Sequence, residues 1–154
     1  MLLPQYALEH PHVPEPHRPG IAPGRPASEH DHLKRSVHET SIPEVLRVEH
    51  EAFQDDRGFL LEAFHAGDFG RFGHLGLPDS FVQINHSRSR EGVTRGLHFQ
   101  WDPPMGKYMR VARGRAFLVA VDIRPGSPTL GQYVSCVADD ENHLAMWAPA
   151  CFAR

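Results

Sequence analysis

The sequence predicts an all-β domain, a sandwich or barrel, on three observations. From Lys34 onward, short runs rich in β-branched and aromatic residues alternate with Gly, Pro, Asp and Asn. Their spacing is regular and close, as in sandwiches and barrels. No helical pattern separates them, as a parallel α/β fold would require. The 154 residues are enough for one domain with a core of its own.

The strand runs, in order, are SVHETSI, EVLRVEH, GFLLEAF, SFVQINHS, VTRGLHFQ, KYMRVA, AFLVAVDI, QYVSCVA and HLAMWA. KYMRVA and AFLVAVDI meet at ARGRA, which predicts a hairpin around Gly114. HAGDFGRF predicts one short helix over His65–Phe72, against the cost of its two glycines. Ahead of the strands, residues 1–33 read as a disordered Pro/His-rich tail, with the domain occupying 34–154. Residues 1–32 hold seven of the fourteen prolines and five of the twelve histidines, and bury too little apolar surface to offset ordering entropy. His10, His12, His30 and His32 fall in this tail, where a metal would bind only adventitiously.

Composition narrows the function classes. The formal net charge is -3, a balance that gives no electrostatic case for nucleic acid, whose binding usually needs a basic face. No apolar run reaches the roughly 18 residues of a membrane span. The first residues, MLLPQYALEHPHVPEP, lack a charged segment followed by a sustained apolar one, so no secretory signal is expected. Two cysteines, Cys136 and Cys151, make no disulfide framework and are expected as reduced thiols in the cytoplasm.

Polar residues that interrupt strand patterns are the candidates for chemistry. In FVQINHS, a period of two puts Phe81, Gln83 and Asn85 on one face. In TRGLHFQ, Arg95 and Leu97 share a face, and Gly96 and His98 the other, unless a bulge at Gly96 shifts the count. If Gln83, Asn85, Arg95 and His98 all line one interior, that interior is a polar ligand site; the alternative is a solvated outer face. His98 by itself fits a buried structural residue, a metal ligand or a catalytic base. Position 96 is Gly and position 100 is Gln, so no HxH pair surrounds it. His86, His98 and His143 have no spacing that demands convergence, and no metal is expected. There is no GxSxG, no activating motif at either cysteine, and no strand–helix context around GRFGHLG for a phosphate loop.

Taken in order, DDRGFLLEAF, FVQINHSRSREGVTRGLHFQ, GKYMRVARGRAFLVAVDIRPGSPTLGQY and ENHLAMWAPACFA resemble successive motifs of the dTDP-4-dehydrorhamnose 3,5-epimerase family over residues 37–153. The resemblance implies a cupin-like jelly roll, a homodimer, no cofactor or metal, and a dTDP-linked 4-keto-6-deoxyhexose as substrate. It implies His98 as catalytic base, histidine being a side chain suited to moving protons near neutral pH. It implies Lys107 beside the keto oxygen and Arg95 on the pyrophosphate. Arg57, Glu62, Gln83 and Asn85 match nucleotide-binding positions, and Arg57 and Glu62 would act across a dimer interface. By residue type alone, Arg57–Glu62 would be a surface ion pair of small value.

The sequence departs from the family's pattern in three places. Leu118 stands where the family has Asp. Arg154 stands where the family has a ligand-contacting His; it is expected on the substrate but at a fraying end. The match stops at Arg154, before the family's tyrosine acid and the aspartate that pairs with the histidine, so the jelly roll is expected to be incomplete at its C-terminal end. These departures leave a second reading open: a catalytically impaired cupin module that binds a dTDP-sugar, or a gene remnant.

Overall fold

A computed structural model describes residues 35–154. The expected tail over 1–33, with its histidines, lies outside the described residues. The chain forms β1 (Arg35–Glu39), β2 (Leu46–His50), β3 (Ala52–Asp55), β4 (Gly58–Leu61), α1 (Ala66–Arg71), a single 3-10 turn (Gly73–Leu75), β5 (Lys107–Arg110), β6 (Arg115–Asp122), β7 (Tyr133–Asp139), β8 (Leu144–Ala148) and β9 (Phe152–Ala153).

All strand pairs are antiparallel. One sheet runs β1-β2-β8-β5, a second runs β7-β6-β9, and β3-β4 is a separate hairpin. The two larger sheets bury apolar side chains against each other by the two-residue alternation of strands. Met109, Met146 and Ala148 from the first sheet meet Leu118, Ala120, Val134, Cys136 and Phe152 from the second. The other face of the first sheet is also covered. Leu46, Val48, Ala145, Trp147 and Tyr108 pack against Phe69, Phe72, Leu75 and Leu77 of the helical segment, and against Phe81. Strand β8 is therefore buried on both faces, which is why HLAMWA reads as a continuous apolar run rather than an alternating one.

The helix forms where the sequence predicts it. His65 caps its start, Nδ1 accepting the Asp68 N–H at 3.3 Å, and Asp68 and Arg71 oppose the helix dipole at the two ends. Phe69 anchors it to the sheet.

Two sequence expectations are corrected. Gly114 does turn, with φ +82, but β5 and β6 do not form a hairpin. β5 pairs with β8, and β6 with β7 and β9, so the turn hands the chain from one sheet to the other. Residues 79–106 carry no regular element, so SFVQINHS and VTRGLHFQ are not strands. Val82 and Ile84 are 101% and 91% exposed. Strand propensity expresses packing against a neighbouring strand, and among the described residues none runs alongside this segment beyond the main-chain pair at His98. Two strands, β3 and β9, went unread because AFQD and FA are too short to show a period.

Gly106, just before β5, lies against Trp147. A Cβ there would sit 2.3 Å from the Trp147 Cη2 atom, in a ring that is almost fully buried. Gly106→Ala is expected to cost about 1–3 kcal/mol by overpacking. Gly70→Ala on the helix meets Asp79 Cβ at an ordinary 3.6 Å; it should instead gain about 0.5–1 kcal/mol. Thermal unfolding of both variants should show opposite signs.

Candidate functional site

His98 is anchored through its main chain. Its N–H donates to the Arg154 carbonyl at 2.7 Å, and it accepts the Arg154 N–H at 2.9 Å. Arg154 directly follows β9, which pairs with β6 through Val121–Ala153 and Asp122–Phe152. His98 therefore rides on the free side of β9, with its side chain exposed. The expected fraying of Arg154 does not occur. The residue is 9% exposed, and its guanidinium donates from Nη1 to the Phe152 carbonyl and from Nη2 to the Met105 carbonyl. Burial holds its pKa below the ordinary arginine value.

Lys107 begins β5, two residues after Met105, opposite Ala148. By the strand period it shares a face with Met109, which points between the sheets, so Lys107 sits at the rim of that interior and is exposed. The Arg154–Met105 bond brings His98 and Lys107 to the same end of the sandwich. Leu118 packs into the core between the sheets. Leu118 is partly buried, and a carboxylate at that position would lie against apolar groups.

Of the remaining candidates, only Gln83 and Asn85 bond to each other. Arg57 stands at the tip of the β3–β4 hairpin, where Asp55 accepts its main-chain N–H at 2.9 Å and its Nε at 3.0 Å. That pairing, foremost its side-chain bonds, lowers the Asp55 pKa and raises that of Arg57. The hairpin forms an open hollow of about 420 Å³ lined by Phe53, Asp55, Arg57, Phe59 and Leu60, among others. Glu62 does not pair with Arg57; it accepts from Arg35 instead. In the irregular segment, Gln83 Nε2 donates to Asn85 Oδ1 at 2.9 Å, and both side chains are exposed. Arg95 folds back on its own loop, with Nε donating to Ser89 Oγ at 2.8 Å and Nη2 to the Arg88 carbonyl at 3.1 Å.

Sequence reading missed a buried polar group behind the first sheet. The Arg35 side chain is only 2% exposed, bonds to Glu62, lies 3.6 Å from Asp68 Oδ2, and crosses the Phe69 ring at 4.8 Å. Glu62, His65 and Asp68 hold ligand atoms within 4.8 Å of one another, the one such group of three among the described residues. The Arg35 guanidinium already supplies positive charge to both carboxylates, so a metal would have to displace it. Nearby, His50 Nε2 lies 2.5 Å from the Tyr108 hydroxyl. A signal for His50 was present: the period in EVLRVEH puts it on the Leu46–Val48 face.

Burial, then the charges of Arg35 and Arg110, push the His50 pKa from 6.5 down to about 4, and burial pushes the Tyr108 hydroxyl up. The unfolded chain then binds a proton that the folded chain refuses between about pH 6.5 and about pH 4, so stability falls as pH falls through that window. The full loss is at most about 3 kcal/mol, at about 1.4 kcal/mol per pH unit and reduced by whatever solvent screens the ring. Urea unfolding across the window should show it in the wild type, and a His50→Gln variant should lack this component.

Comparison with known proteins follows the same boundaries. The family model described as dTDP-4-dehydrorhamnose 3,5-epimerase matches residues 39–154. A curated dTDP-4-dehydrorhamnose 3,5-epimerase of Pseudomonas aeruginosa is 49% identical over 114 residues, covering 74% of this chain and 62% of that protein. The Shigella flexneri protein of the same name is 44% identical over 120 residues, covering 77% of this chain and 65% of its own length. The chain thus spans less than two thirds of these relatives. A crystal structure of the dTDP-6-deoxy-D-glucose-3,5-epimerase of Legionella pneumophila, in complex with dTDP-4-keto-L-rhamnose, superposes with a TM-score of 0.73 at 43% identity. It covers 78% of this chain and 63% of that one. The fold is the cupin-like β fold that the motifs implied. No helix among the described residues is long and apolar enough to cross a membrane.

Proposed function

The chain belongs to the dTDP-4-dehydrorhamnose 3,5-epimerase family, and on that premise we propose that it epimerises a dTDP-linked 4-keto-6-deoxyhexose in deoxysugar biosynthesis. The observation that carries the reading is the placement of His98: an exposed imidazole on a main chain fixed to Arg154, at the end of the sandwich where Lys107 begins β5. The C4 ketone acidifies the protons on the neighbouring carbons. His98 takes one of them, the C–H electron pair moves into an enolate, and the negative charge collects on the C4 oxygen. Lys107 stabilises that oxygen. Water on the opposite ring face delivers a proton to the enolate carbon and inverts it, and the imidazolium of His98 returns its own proton to solvent.

Arg57, Glu62, Gln83, Asn85 and Arg95 are assigned to the nucleotide and its pyrophosphate, for which a guanidinium fork is suited. They are exposed or partly exposed and dispersed, Arg57 on the hairpin, Glu62 just after it against Arg35, and Gln83, Asn85 and Arg95 on the irregular segment, which fits a site assembled from two copies. The bare apolar side chains of Val82, Ile84, Leu97, Phe99 and Trp101 support a homodimer through that segment. The two free cysteines fit a reducing, cytoplasmic setting.

A second reading, binding without turnover, is favoured by Leu118 in the core where the family's pattern has a carboxylate. One experiment separates the two. The protein is incubated with dTDP-4-keto-6-deoxyglucose in deuterated water, and deuterium at C3 and C5 is followed by NMR. Incorporation is expected. Its absence, with dTDP binding retained in calorimetry, would replace the enzyme reading by the binding one. Absence of both would sink both.

A further inference from the structure

We propose that Arg154 is a positioning residue, whose guanidinium clamps the segment carrying His98 to the segment carrying Lys107 rather than touching the substrate. This deepens the epimerase reading and rests on it for the roles of His98 and Lys107. Three pieces of chain meet at Arg154. Its main chain pairs in both directions with His98, at 2.7 and 2.9 Å. Its side chain reaches the Met105 carbonyl, two residues ahead of Lys107. The same fork reaches back to the Phe152 carbonyl on β9, which is itself hydrogen-bonded into the second sheet.

The approach is close enough to restrict the neighbouring sequence. Gly96 has φ +127, and a Cβ there would come within 3.2 Å of the Arg154 carbonyl oxygen. A side chain at position 96 would thus push the His98 segment off Arg154 as well as strain the backbone. The geometry also says what Arg154 does not do. A residue 9% exposed, with two donors on main-chain carbonyls, does not present its fork to a phosphate. A lysine could not reproduce the arrangement, because a single ammonium does not have the planar fork that spans two carbonyls. Without the clamp, the His98 segment keeps only its main-chain pair to a short β9. A shift of about 1 Å between catalytic groups costs up to about 10²-fold in rate.

The test uses Arg154→Met, which keeps an unbranched apolar stem and loses the donors, and Arg154→Lys, which keeps the charge and loses the fork. Amide hydrogen exchange at His98 is the readout that needs no activity. In Arg154→Met, His98 is expected to exchange about tenfold faster or more while the amides of β6 are unchanged. Turnover in the deuterium assay should fall about 10- to 100-fold with KM within about twofold, and Arg154→Lys should fall between Met and wild type. Unchanged His98 exchange overturns the clamp. So does a tenfold rise in KM with kcat retained, the signature of a lost ligand contact. If the wild-type protein itself incorporates no deuterium, the epimerase reading fails, and the amide arm still decides whether Arg154 holds His98.

Discussion

Asp122→Ala is expected to destabilise the domain by about 3 kcal/mol. Asp122 ends β6, is 0% exposed, and is the hub of the VDIRPGSPT turn. One oxygen accepts the Arg124 main-chain N–H and Nε, each at 2.9 Å; the other accepts Arg124 Nη2 at 2.8 Å and the Ser127 and Thr129 hydroxyls at 2.6 Å each. Arg124 extends the network to Glu44 at 2.6 Å and lies over the Phe152 ring at 4.7 Å, so the turn ties the β1–β2 connection to β9. Alanine strips all of these donors of their acceptor. The cost stays at the low end for a broken buried pair, because Arg124 is 29% exposed and keeps Glu44. The side-chain bonds from Arg124, then those from Ser127 and Thr129, hold the Asp122 carboxyl well below the usual carboxylate range. Its stabilisation is therefore complete above the unfolded pKa of about 3.9 and declines as pH falls below that. Urea midpoints of wild type and Asp122→Asn should lie furthest apart near neutral pH, begin to approach each other below about pH 3.9, and still be closing at the lowest pH the fold survives. A gap that holds constant on acidification would show that the carboxylate's charge is not what stabilises the turn.

The reach of sequence reasoning follows the same division between local and distant partners. KYMRVA, AFLVAVDI, QYVSCVA and HLAMWA are strands because their apolar faces find partners within this chain. SFVQINHS has the same alternation, yet Val82 and Ile84 face solvent, since periodicity records which face wants burial and not what will cover it. Gly114 signalled a turn, which is local; that β5 then pairs with β8 is a non-local choice with no mark in ARGRA. In the site, RGLHFQ singled out His98, but the destination of the Arg154 guanidinium was not readable. Its acceptors are main-chain carbonyls, which carry no residue identity. Arg35 was hidden for a related reason. In LKRS it is one basic residue among others, and only the return of Glu62 and Asp68 to its side makes it a buried cation.

His98→Asn is expected to slow deuterium incorporation at C3 and C5 by about 10²–10⁴-fold, the usual contribution of a general base. The structure makes this an unusually clean substitution. His98 holds its place through its own N–H and C=O to Arg154, and both survive the change. Its side chain is exposed, so no core cavity opens, and the unfolding midpoint should stay within about 0.5 kcal/mol of wild type. Calorimetry should show dTDP affinity unchanged, because the groups assigned to the nucleotide lie on the hairpin and the irregular segment. Lys107→Met offers the comparison. Lys107 is also exposed, and its loss should cost about 10²–10³-fold if it faces the enolate oxygen. The double variant then decides between one site and two separate effects. Groups that act on the same transition state are strongly non-additive, so His98→Asn with Lys107→Met should be little slower than His98→Asn alone. Full multiplication of the two losses would place the residues in separate roles, and an intact rate in His98→Asn would remove the imidazole from the mechanism.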